Sequence, residues 1–507
     1  MIEHLRSPLF ACALGLLATA AASAADEHAG RPQSDQPGHA EPGRQQPNGP
    51  GVLSLLPANS TTEHSIDLAS GKLNYTATAG TFSLFDQSGE RSAAIFYAAF
   101  VLKPNDPRRP LTFVFNGGPG AGSAFLNLGL AGPRIAVFGD GYDGAKVHLA
   151  DNPDTWLAFT DLVFVDPVGT GWSRAAKPDG GNAFWDVHRD AESMAKVIAL
   201  YIANNGRVSS PKFMLGESYG GFRAAKVARA LQNNQGIIAS GIVMLSPMLE
   251  GWLTFGDDES ALRAALQLPS LAAATLERKH AFTPAALAAA EKFAMTDYLT
   301  TMAGAPPQGE AGKAFYERVA QLSGLPLDVV TQARGFVEGA YVKNLRPDGK
   351  IVSRYDATFA VDDPYPELRS AHGPDPILDS ISRAYGGAFA AYARNELGFK
   401  TEMTYALLSG QVTGGWDWQG GRLQASAEDD LRTLLAFSPT FRLLVAHGYS
   451  DMITPYGMTR YALDHLPADT ASRAQLKLYR GGHMLYLDAQ SRKAFSADAA
   501  VFIRGGE

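Results

Sequence analysis

The sequence predicts an α/β fold with a mostly parallel central sheet and a helical insertion. Short apolar runs, such as LTFVF at 111–115 and LVFV at 162–165, alternate with stretches of helical periodicity. Buried strands that alternate with helices are typical of a parallel sheet covered on both faces. The alternation stops near Trp252, where Ala- and Leu-rich helical segments begin, and it resumes with FRLLVAHG at 441–448.

The composition is that of a globular protein. The chain has 507 residues, of which 46% are hydrophobic and 19% are charged. This length allows more than one domain, or one large domain with an insertion. The formal net charge is -7, so the chain has no excess of positive charge and we expect no nucleic-acid partner. The 11 His residues show no metal-ligand spacing, so we expect no metal and no cofactor.

Residues 1–24 have the pattern of a signal peptide. An apolar run at 8–22 ends in the small residues ASA at 22–24, which are typical of a cleavage site. The run is too short to span a membrane. A lipoprotein signal ending at Cys12, the only cysteine, is the alternative. We therefore expect an exported protein, periplasmic or secreted, without disulfides after cleavage.

The remaining chain divides by composition. Residues 25–51 are rich in Pro, Gly and Gln, which predicts a disordered linker. From about Ser65, stretches with an alternating pattern are separated by Gly and Ser-Gly, which predicts antiparallel strands and hairpins. We predict an α/β core over 52–252 and 406–507, and a helical cap insertion over 253–405.

The stretch KFMLGESYGGFRAAKVARAL at 212–231 carries the main candidate for a catalytic residue. Its apolar start predicts a buried strand, and its second half has helical spacing. The five residues between them, Gly216 to Gly220, fit G-x-S-x-G, in which a strained strand-to-helix turn exposes the Ser. Ser218 is therefore the candidate nucleophile, and an ordinary turn rich in Gly and Ser is the alternative.

A nucleophilic Ser needs a base, and the base needs an acid that orients it. In α/β-hydrolases the chain order is Ser, then Asp or Glu, then His. Asp451 and His483 satisfy this order, and each follows an apolar run. His447 is a rival base, but it precedes Asp451 and is more simply explained as a structural histidine. A turn-forming Asp and a loop His are the alternatives for the selected pair.

Acyl transfer also requires hydrogen-bond donors for the oxyanion. One donor is the backbone N–H of the residue after the nucleophile, Tyr219. The second is expected from a Gly-rich loop, and NGGPG at 116–120 supplies the N–H of Gly118. A plain Gly/Pro turn is the alternative for this loop.

Several segments together resemble the serine carboxypeptidases, peptidase family S10. They are FVFNGGPGAGS, GPRI, NPDTWLAFTDLVFVDPVGTGWSR, FMLGESYGGFRAAKVARAL, AHGYSDMITPYG and GGHMLYLD. The opening NYTATAGTFSLFDQSGE looks like bacterial members. The resemblance implies an α/β-hydrolase fold with a helical cap. It also implies hydrolysis of the C-terminal peptide bond of peptides or proteins through an acyl-enzyme.

The resemblance also implies roles for particular residues. Ser218, Asp451 and His483 would form the triad, and Gly118 and Tyr219 the oxyanion hole. The residues implied in substrate binding are Asn116, Gly117 and Glu217 at the terminal carboxylate and Met484 at the pocket of the leaving residue.

Two positions depart from the family pattern. Many members pair the Glu beside the nucleophile with a second Glu, and Leu130 stands at that position. Ala121 stands where a Cys is often found. Because two carboxyls in contact share a proton, the loss of one predicts a less elevated pKa for Glu217.

Two other functions remain open from the sequence. An esterase or acyltransferase on the same scaffold would use the same triad, although it needs no group that binds a carboxylate. A catalytically inactive binding module is a third hypothesis, but every member of the triad is present. We expect peptides with a free C-terminus as substrates, and the sequence is silent on the oligomeric state.

Overall fold

The structure is a computed structural model that describes residues 51–346 and 348–505. The predicted signal peptide at 1–24 lies outside the described residues. The predicted linker at 25–51 also lies outside them, except for Gly51. Among the described residues, no helix is long and apolar enough to cross a membrane.

The apolar runs of the sequence form strands, and further strands lie outside those runs. Those in the described residues are β1 (Ser60–Leu68), β2 (Gly71–Phe85), β3 (Arg91–Leu102), β4 (Leu111–Phe115), β5 (Arg134–Gly139), β6 (Asp143–Asp151), β7 (Asp161–Val165), β8 (Arg174–Ala175), β9 (Lys212–Glu217), β10 (Gly241–Leu245), β11 (Lys350–Val352), β12 (Ala360–Asp362), β13 (Arg442–Gly448) and β14 (Ala474–Tyr479).

One large sheet organises the fold. Its strand order is β1-β2-β3-β7-β4-β9-β10-β13-β14, and β8 pairs with β3. The first three strands form the antiparallel hairpins that the sequence predicts, and β3 also pairs antiparallel with β7. From β7 to β14 every pairing is parallel. Two small antiparallel hairpins, β5–β6 and β11–β12, lie outside this sheet.

The helices cover both faces of the sheet and form the insertion. The α-helices of the described residues are α1 (Ala124–Leu126), α2 (Val187–Asn204), α3 (Tyr219–Ala230), α4 (Gly251–Thr254), α5 (Ala261–Arg278), α6 (Pro284–Phe293), α7 (Leu299–Met302), α8 (Gly309–Ser323), α9 (Leu327–Gln332), α10 (Glu338–Asn344), α11 (Ala384–Asn395), α12 (Gly410–Gly415), α13 (Glu428–Phe437), α14 (Tyr456–Asp464), α15 (Ala468–Ala471) and α16 (Ala489–Arg504).

Shorter helical turns complete the structure. The 3₁₀ turns span Val52–Leu55, Asp140–Tyr142, Trp156–Ala158, Gly180–Ala183, Ile381–Arg383 and Leu485–Leu487. The π-helical turns span Asn127–Ala131, Leu231–Gln235 and Ala294–Tyr298.

The apolar strands are buried because helices pack on both sides. Every residue of β4, β7 and β10 is buried. Their alternate side chains enter two different hydrophobic cores, as the period of two in a strand requires. Helices α2, α3 and α13 contribute to one core, and α11 and α16 contribute to the other.

The segment predicted as a cap is mostly helical but not wholly so. Helices α5, α6, α8 and α10 share a third hydrophobic cluster with the hairpin β11–β12, which the sequence did not predict. Phe389 on α11 instead belongs to the core beside the sheet. Packing against the sheet therefore begins before the predicted boundary at residue 405, and the division into core and cap remains a prediction.

The fold is that of the α/β-hydrolases, as the sequence predicts. The parallel sheet has helices on both faces, and a sharp turn at Ser218 joins the end of β9 directly to the start of α3. This turn is the structural context that the G-x-S-x-G pattern requires.

Candidate active site

The candidate residues lie at one edge of the sheet. The loops that follow β4, β9, β13 and β14 carry Asn116, Ser218, Asp451 and His483. The carboxyl ends of parallel strands meet at the same edge, which is where open α/β sheets place their functional groups. Residues that are far apart in the chain are brought together for this reason.

Ser218 occupies a strained turn. Its backbone has φ 59° and ψ -127°, in the region that residues with a side chain rarely adopt. Neighbouring glycines make the turn possible. A Cβ on Gly216 would lie 2.0 Å from the carbonyl oxygen of Gly220, and one on Gly220 would lie 2.6 Å from that of Phe115. Since no side chain fits there, the two glycines of the motif follow from packing.

Asp451 and His483 are in direct contact. The Nδ1 of His483 lies 2.9 Å from the Oδ2 of Asp451, and both side chains are buried. The Oδ1 of Asp451 accepts the backbone N–H groups of Ile453 and Thr454, at 2.8 and 3.0 Å. This arrangement directs the Nδ1 proton of His483 to Asp451 and leaves Nε2 for another partner.

Burial and pairing act in opposite directions on this pair. Burial raises the pKa of Asp451, but the charge and hydrogen bond of His483 outweigh it, so the pKa lies below its ordinary value. Burial lowers the pKa of His483, but Asp451 outweighs it, so this pKa lies above its ordinary value. Asp451 is therefore an anion beside an imidazole that readily accepts a proton.

Ser218 and His483 line the same cavity. Between these two described residues the structure has no hydrogen bond. Catalytic hydrogen bonds are often long without substrate and shorten when it binds, so the geometry does not exclude the pair. Two hydrogen bonds fix the backbone of His483. Its N–H donates to the Tyr355 carbonyl at 2.6 Å, and its carbonyl accepts a hydrogen bond from Ser246 Oγ at 2.9 Å.

The rival base His447 also lies near Asp451, since its Nδ1 is 3.9 Å from Asp451 Oδ2. Its side chain is fully buried, its Nε2 lies 2.8 Å from Thr459 Oγ1, and it does not line the cavity of Ser218. Burial lowers its pKa to about 4, so the ring is neutral near neutral pH. These properties are those of a structural histidine.

The NGGPG loop packs against the Ser218 turn. A Cβ on Gly117 would lie 2.6 Å from the Glu217 carbonyl oxygen and 2.7 Å from the Tyr219 nitrogen. Gly118 has φ +99°, which a side chain would strain. The close approach brings the candidate oxyanion donors, Gly118 and Tyr219, into one cavity with Ser218.

The carboxyl group of Glu217 has two hydrogen-bond donors. Asn116 Nδ2 donates to Oε2 at 2.5 Å. The hydroxyl of Tyr486 donates to Oε1 at 3.1 Å and lies 3.3 Å from Oε2. Burial raises the pKa of Glu217 to about 7, and the charge of His483 and these two hydrogen bonds oppose the rise.

The pKa of Glu217 is raised, and the expectation that it is less elevated than with a second carboxyl stays a prediction. Leu130, at the position of the absent second carboxyl, is a fully buried apolar side chain and donates no proton. Burial raises the pKa of Glu217 even though Leu130 offers no second carboxyl. Burial could not be inferred from the sequence at this position.

Asn116 is fixed by its neighbours. Its Oδ1 accepts the backbone N–H of Leu126 at 3.1 Å, and its backbone carbonyl accepts a hydrogen bond from Arg223. Arg223 is anchored in turn by Asp190, whose Oδ2 accepts from Nε at 2.6 Å. Since Oδ1 accepts from Leu126, the amide nitrogen faces Glu217, and Asn116 can offer N–H donors at the cavity that it lines.

The cavity at this edge has a volume of about 620 Å³. Its polar lining includes Asn116, Glu217, Ser218 and His483. Its large apolar side chains include Phe125, Met248, Phe255, Leu378 and Met484. A mainly apolar pocket with a few convergent polar groups is typical of a site for a small organic or peptide ligand. Among the described residues, no group of His, Cys, Asp and Glu is arranged to hold a metal ion.

Two residues of the site were not predicted from the sequence. Thr454 Oγ1 lies 2.9 Å from Asp451 Oδ2 and 3.1 Å from His483 Nδ1, and it also donates to the Ser246 carbonyl. Tyr486 reaches Glu217 from 269 residues further along the chain. Both lie within segments that carry the family resemblance, but no spacing rule assigns them a role.

The fold and the Ser218 turn are those of the α/β-hydrolases. Comparison with known proteins adds a similarity over part of the chain. A sequence model of the serine carboxypeptidase family matches residues 72–248. Serine carboxypeptidase-like 35 of Arabidopsis thaliana is 28% identical over 160 residues, which cover 31% of this chain and 32% of that protein.

A second relative gives the same result. Serine carboxypeptidase-like 42 of Arabidopsis thaliana is 32% identical over 152 residues, 29% of each chain. The chain thus spans about a third of the length of the curated relatives it matches. The similarity supports a hydrolase related to the serine carboxypeptidases.

Solved structures resemble the chain more distantly. Proline iminopeptidase of Mycobacterium smegmatis is 17% identical, with a TM-score of 0.38, over 84% of this chain and 97% of that one. A carboxyl esterase of Bacillus coagulans is 14% identical, with a TM-score of 0.36, over 88% and 98%. At these TM-scores, the assignment of the fold rests on the sheet order and the Ser218 turn.

Proposed function

We propose that this protein is a serine carboxypeptidase of the S10 type, which removes the C-terminal residue of peptides or proteins. The observation that carries the proposal is the buried carboxyl of Glu217, next to Ser218 and hydrogen-bonded to Asn116. An ester or an amide substrate would not need such a group, whereas a free carboxylate needs hydrogen-bond donors to leave water.

The proposed reaction starts at Ser218. Its Oγ attacks the carbonyl carbon of the last peptide bond while His483 Nε2 takes the hydroxyl proton. Asp451 keeps the imidazole in the required tautomer and stabilises its charge. The backbone N–H groups of Gly118 and Tyr219 stabilise the oxyanion, and donors of this kind are each worth about 3 kcal/mol.

The second half of the reaction releases both products. His483 returns the proton to the leaving amine, and the C-terminal residue departs as a free amino acid. Water then attacks the acyl-enzyme with His483 as the base, which frees Ser218. Together the two steps consume one molecule of water for each peptide bond that is cleaved.

The proposed carboxylate clamp consists of Asn116, the N–H of Gly117 and Glu217. In an extended chain the terminal carboxylate lies one residue, about 3.5 Å, beyond the scissile carbonyl. Since Gly117 and Gly118 are adjacent in one loop, that loop can serve both points. A protonated Glu217 donates a hydrogen bond to the carboxylate, while an ionised one repels it. The side chain of Met484 would border the leaving residue, since it lines the same cavity.

The proposal is tested with three N-blocked substrates of the same sequence: a peptide with a free C-terminus, its amide and its methyl ester. Mass spectrometry identifies the products, and kcat/KM is compared below about pH 7. We expect release of one C-terminal residue, with the free acid preferred over the amide. Equal or faster hydrolysis of the amide, or hydrolysis of the ester alone, would favour an esterase or acyltransferase.

The cellular setting is also part of the proposal. We infer export to the periplasm or the medium, as expected of a bacterial member of the family, with cleavage after residue 24. We separately propose that residues 253–405 form the cap over the site. N-terminal sequencing of the mature protein is expected to start at Ala25, and a lipid-modified Cys12 would contradict that assignment.

A further inference from the structure

Tyr486 is placed against the carboxyl group of Glu217. It lies in the 3₁₀ turn Leu485–Leu487, shortly after His483, and its side chain is buried. Its hydroxyl lies 3.1 Å from Oε1 and 3.3 Å from Oε2 of Glu217. The hydroxyl therefore lies within reach of both carboxyl oxygens, one of which also accepts from the Asn116 amide.

The structure makes room for this ring at a particular place. A Cβ on Gly129 would lie 2.5 Å from a ring carbon of Tyr486, so no side chain fits at that position. Gly129 precedes Leu130, where the family resemblance places a second carboxyl. The glycine thus leaves space for an aromatic ring with a hydroxyl beside the position where the resemblance places that carboxyl.

We propose that Tyr486 is the positioning residue of the carboxylate clamp, where its hydroxyl replaces the missing second carboxyl as the partner of Glu217. The inference rests on the proposed function, in which Glu217 binds the terminal carboxylate of the substrate. It adds that the Tyr486 hydroxyl shifts the pH range of this binding downwards, against the effect of burial.

A hydroxyl and a carboxyl act on Glu217 in opposite directions. Two carboxyls in contact share one proton, which is then held to a higher pH. A Tyr hydroxyl donates its own proton, and a donated hydrogen bond is stronger to the ionised form of Glu217 than to the neutral form. Tyr486 therefore helps Glu217 to lose its proton, in the direction opposite to burial.

The other groups around Glu217 do not take this role. The charged side chains that act on it are His483 and Asp451, whose effects on its pKa are opposite in sign. Tyr385 and Tyr355 are also near, but burial raises their pKa values and keeps both neutral. Asn116 has no titratable proton. Among the side chains bonded to Glu217, Tyr486 is thus the hydroxyl that can be removed without changing a charge.

The test is Tyr486→Phe, which keeps the ring against Gly129 and removes only the hydroxyl. KM for a blocked free-acid peptide and for its amide is measured between about pH 5 and pH 9. Without the donated hydrogen bond the pKa of Glu217 rises, so the alkaline increase in KM for the acid moves up by about one pH unit. The amide is expected to show no such shift. Tyr385→Phe, which removes a buried hydroxyl nearby, is the matched control and leaves the profile unchanged.

A second measurement reads Glu217 without substrate. The infrared carbonyl band of a protonated carboxyl that disappears in Glu217→Gln reports this one residue. In Tyr486→Phe this band is expected to persist about one pH unit higher than in the unmodified protein. An unmoved band, a movement to lower pH, or an equal movement in Tyr385→Phe would overturn the inference.

The two measurements separate the inference from the proposed function. If the unmodified protein does not distinguish the acid from the amide, the carboxypeptidase proposal fails, and the infrared titration still decides whether Tyr486 controls Glu217. If the acid is preferred but Tyr486→Phe leaves both profiles unmoved, only the inference fails.

Discussion

The substitution Glu217→Gln tests the carboxylate clamp and has a calculable effect. Burial raises the pKa of Glu217 to about 7. The protonated form, which donates to the substrate carboxylate, is present below that pH and is lost as the pH rises through it. The protonated fraction falls from about 0.9 at pH 6 to about 0.01 at pH 9.

The size of the effect follows from this fraction. If only the protonated form bound the free acid, its affinity would fall by about 90-fold over this range. Asn116 and the Gly117 N–H still bind the carboxylate at high pH. We therefore expect KM for the free acid to rise by about 10- to 90-fold over this range. A Gln at position 217 donates through its amide and does not titrate, so the rise should disappear.

The assay separates binding from chemistry. His483 also titrates, and its protonation lowers kcat at acidic pH. The pH dependence of KM therefore reflects both His483 and Glu217. Binding of the acid and of the amide is therefore also measured in Ser218→Ala, with and without Glu217→Gln. If the alkaline loss of affinity for the acid survives in the Gln variant, Glu217 is not the clamp and serves only to anchor the turn.

Two further predictions concern the base and the turn. His483→Ala is expected to lower kcat by about 10³-fold or more with little change in melting temperature, whereas His447→Gln lowers the melting temperature and keeps kcat within about tenfold. The reverse result would make His447 the base. Gly216→Ala places a Cβ 2.0 Å from the Gly220 carbonyl oxygen and is expected to destabilise the fold by at least about 1–3 kcal/mol in chemical denaturation. The control Gly387→Ala, exposed on α11 with nothing within 4 Å of the added carbon, should be neutral or stabilising by up to about 1 kcal/mol, and an equal loss in both variants would contradict the packing argument.

Much of the fold was predictable because it depends on local patterns. The apolar runs at 111–115 and 162–165 became β4 and β7, since a strand covered on both faces needs continuous apolar residues. The strand-to-helix turn at Ser218 followed from its two glycines. The contact of Asp451 with His483 agrees with the chain order, because the loops after two neighbouring parallel strands carry these residues.

The remainder depends on contacts that no local pattern encodes. The hairpin β11–β12 lies within a segment of helical composition, and α11 packs on the sheet although it belongs to the same segment. Tyr486 meets Glu217 from a distant position in the chain, and the pKa of Glu217 is set by burial that only the assembled fold provides. These features arise only when the chain is folded.

The most direct test of the central claim is labelling with a fluorophosphonate, which reacts with an activated serine. The purified protein and its Ser218→Ala variant are treated with the reagent, and the modified residue is identified by mass spectrometry after digestion. We expect one adduct on Ser218, no adduct in the variant, and a loss of peptide hydrolysis in the variant of about 10³-fold or more. An adduct on another residue, or hydrolysis of the free-acid peptide at the original rate by Ser218→Ala, would contradict it.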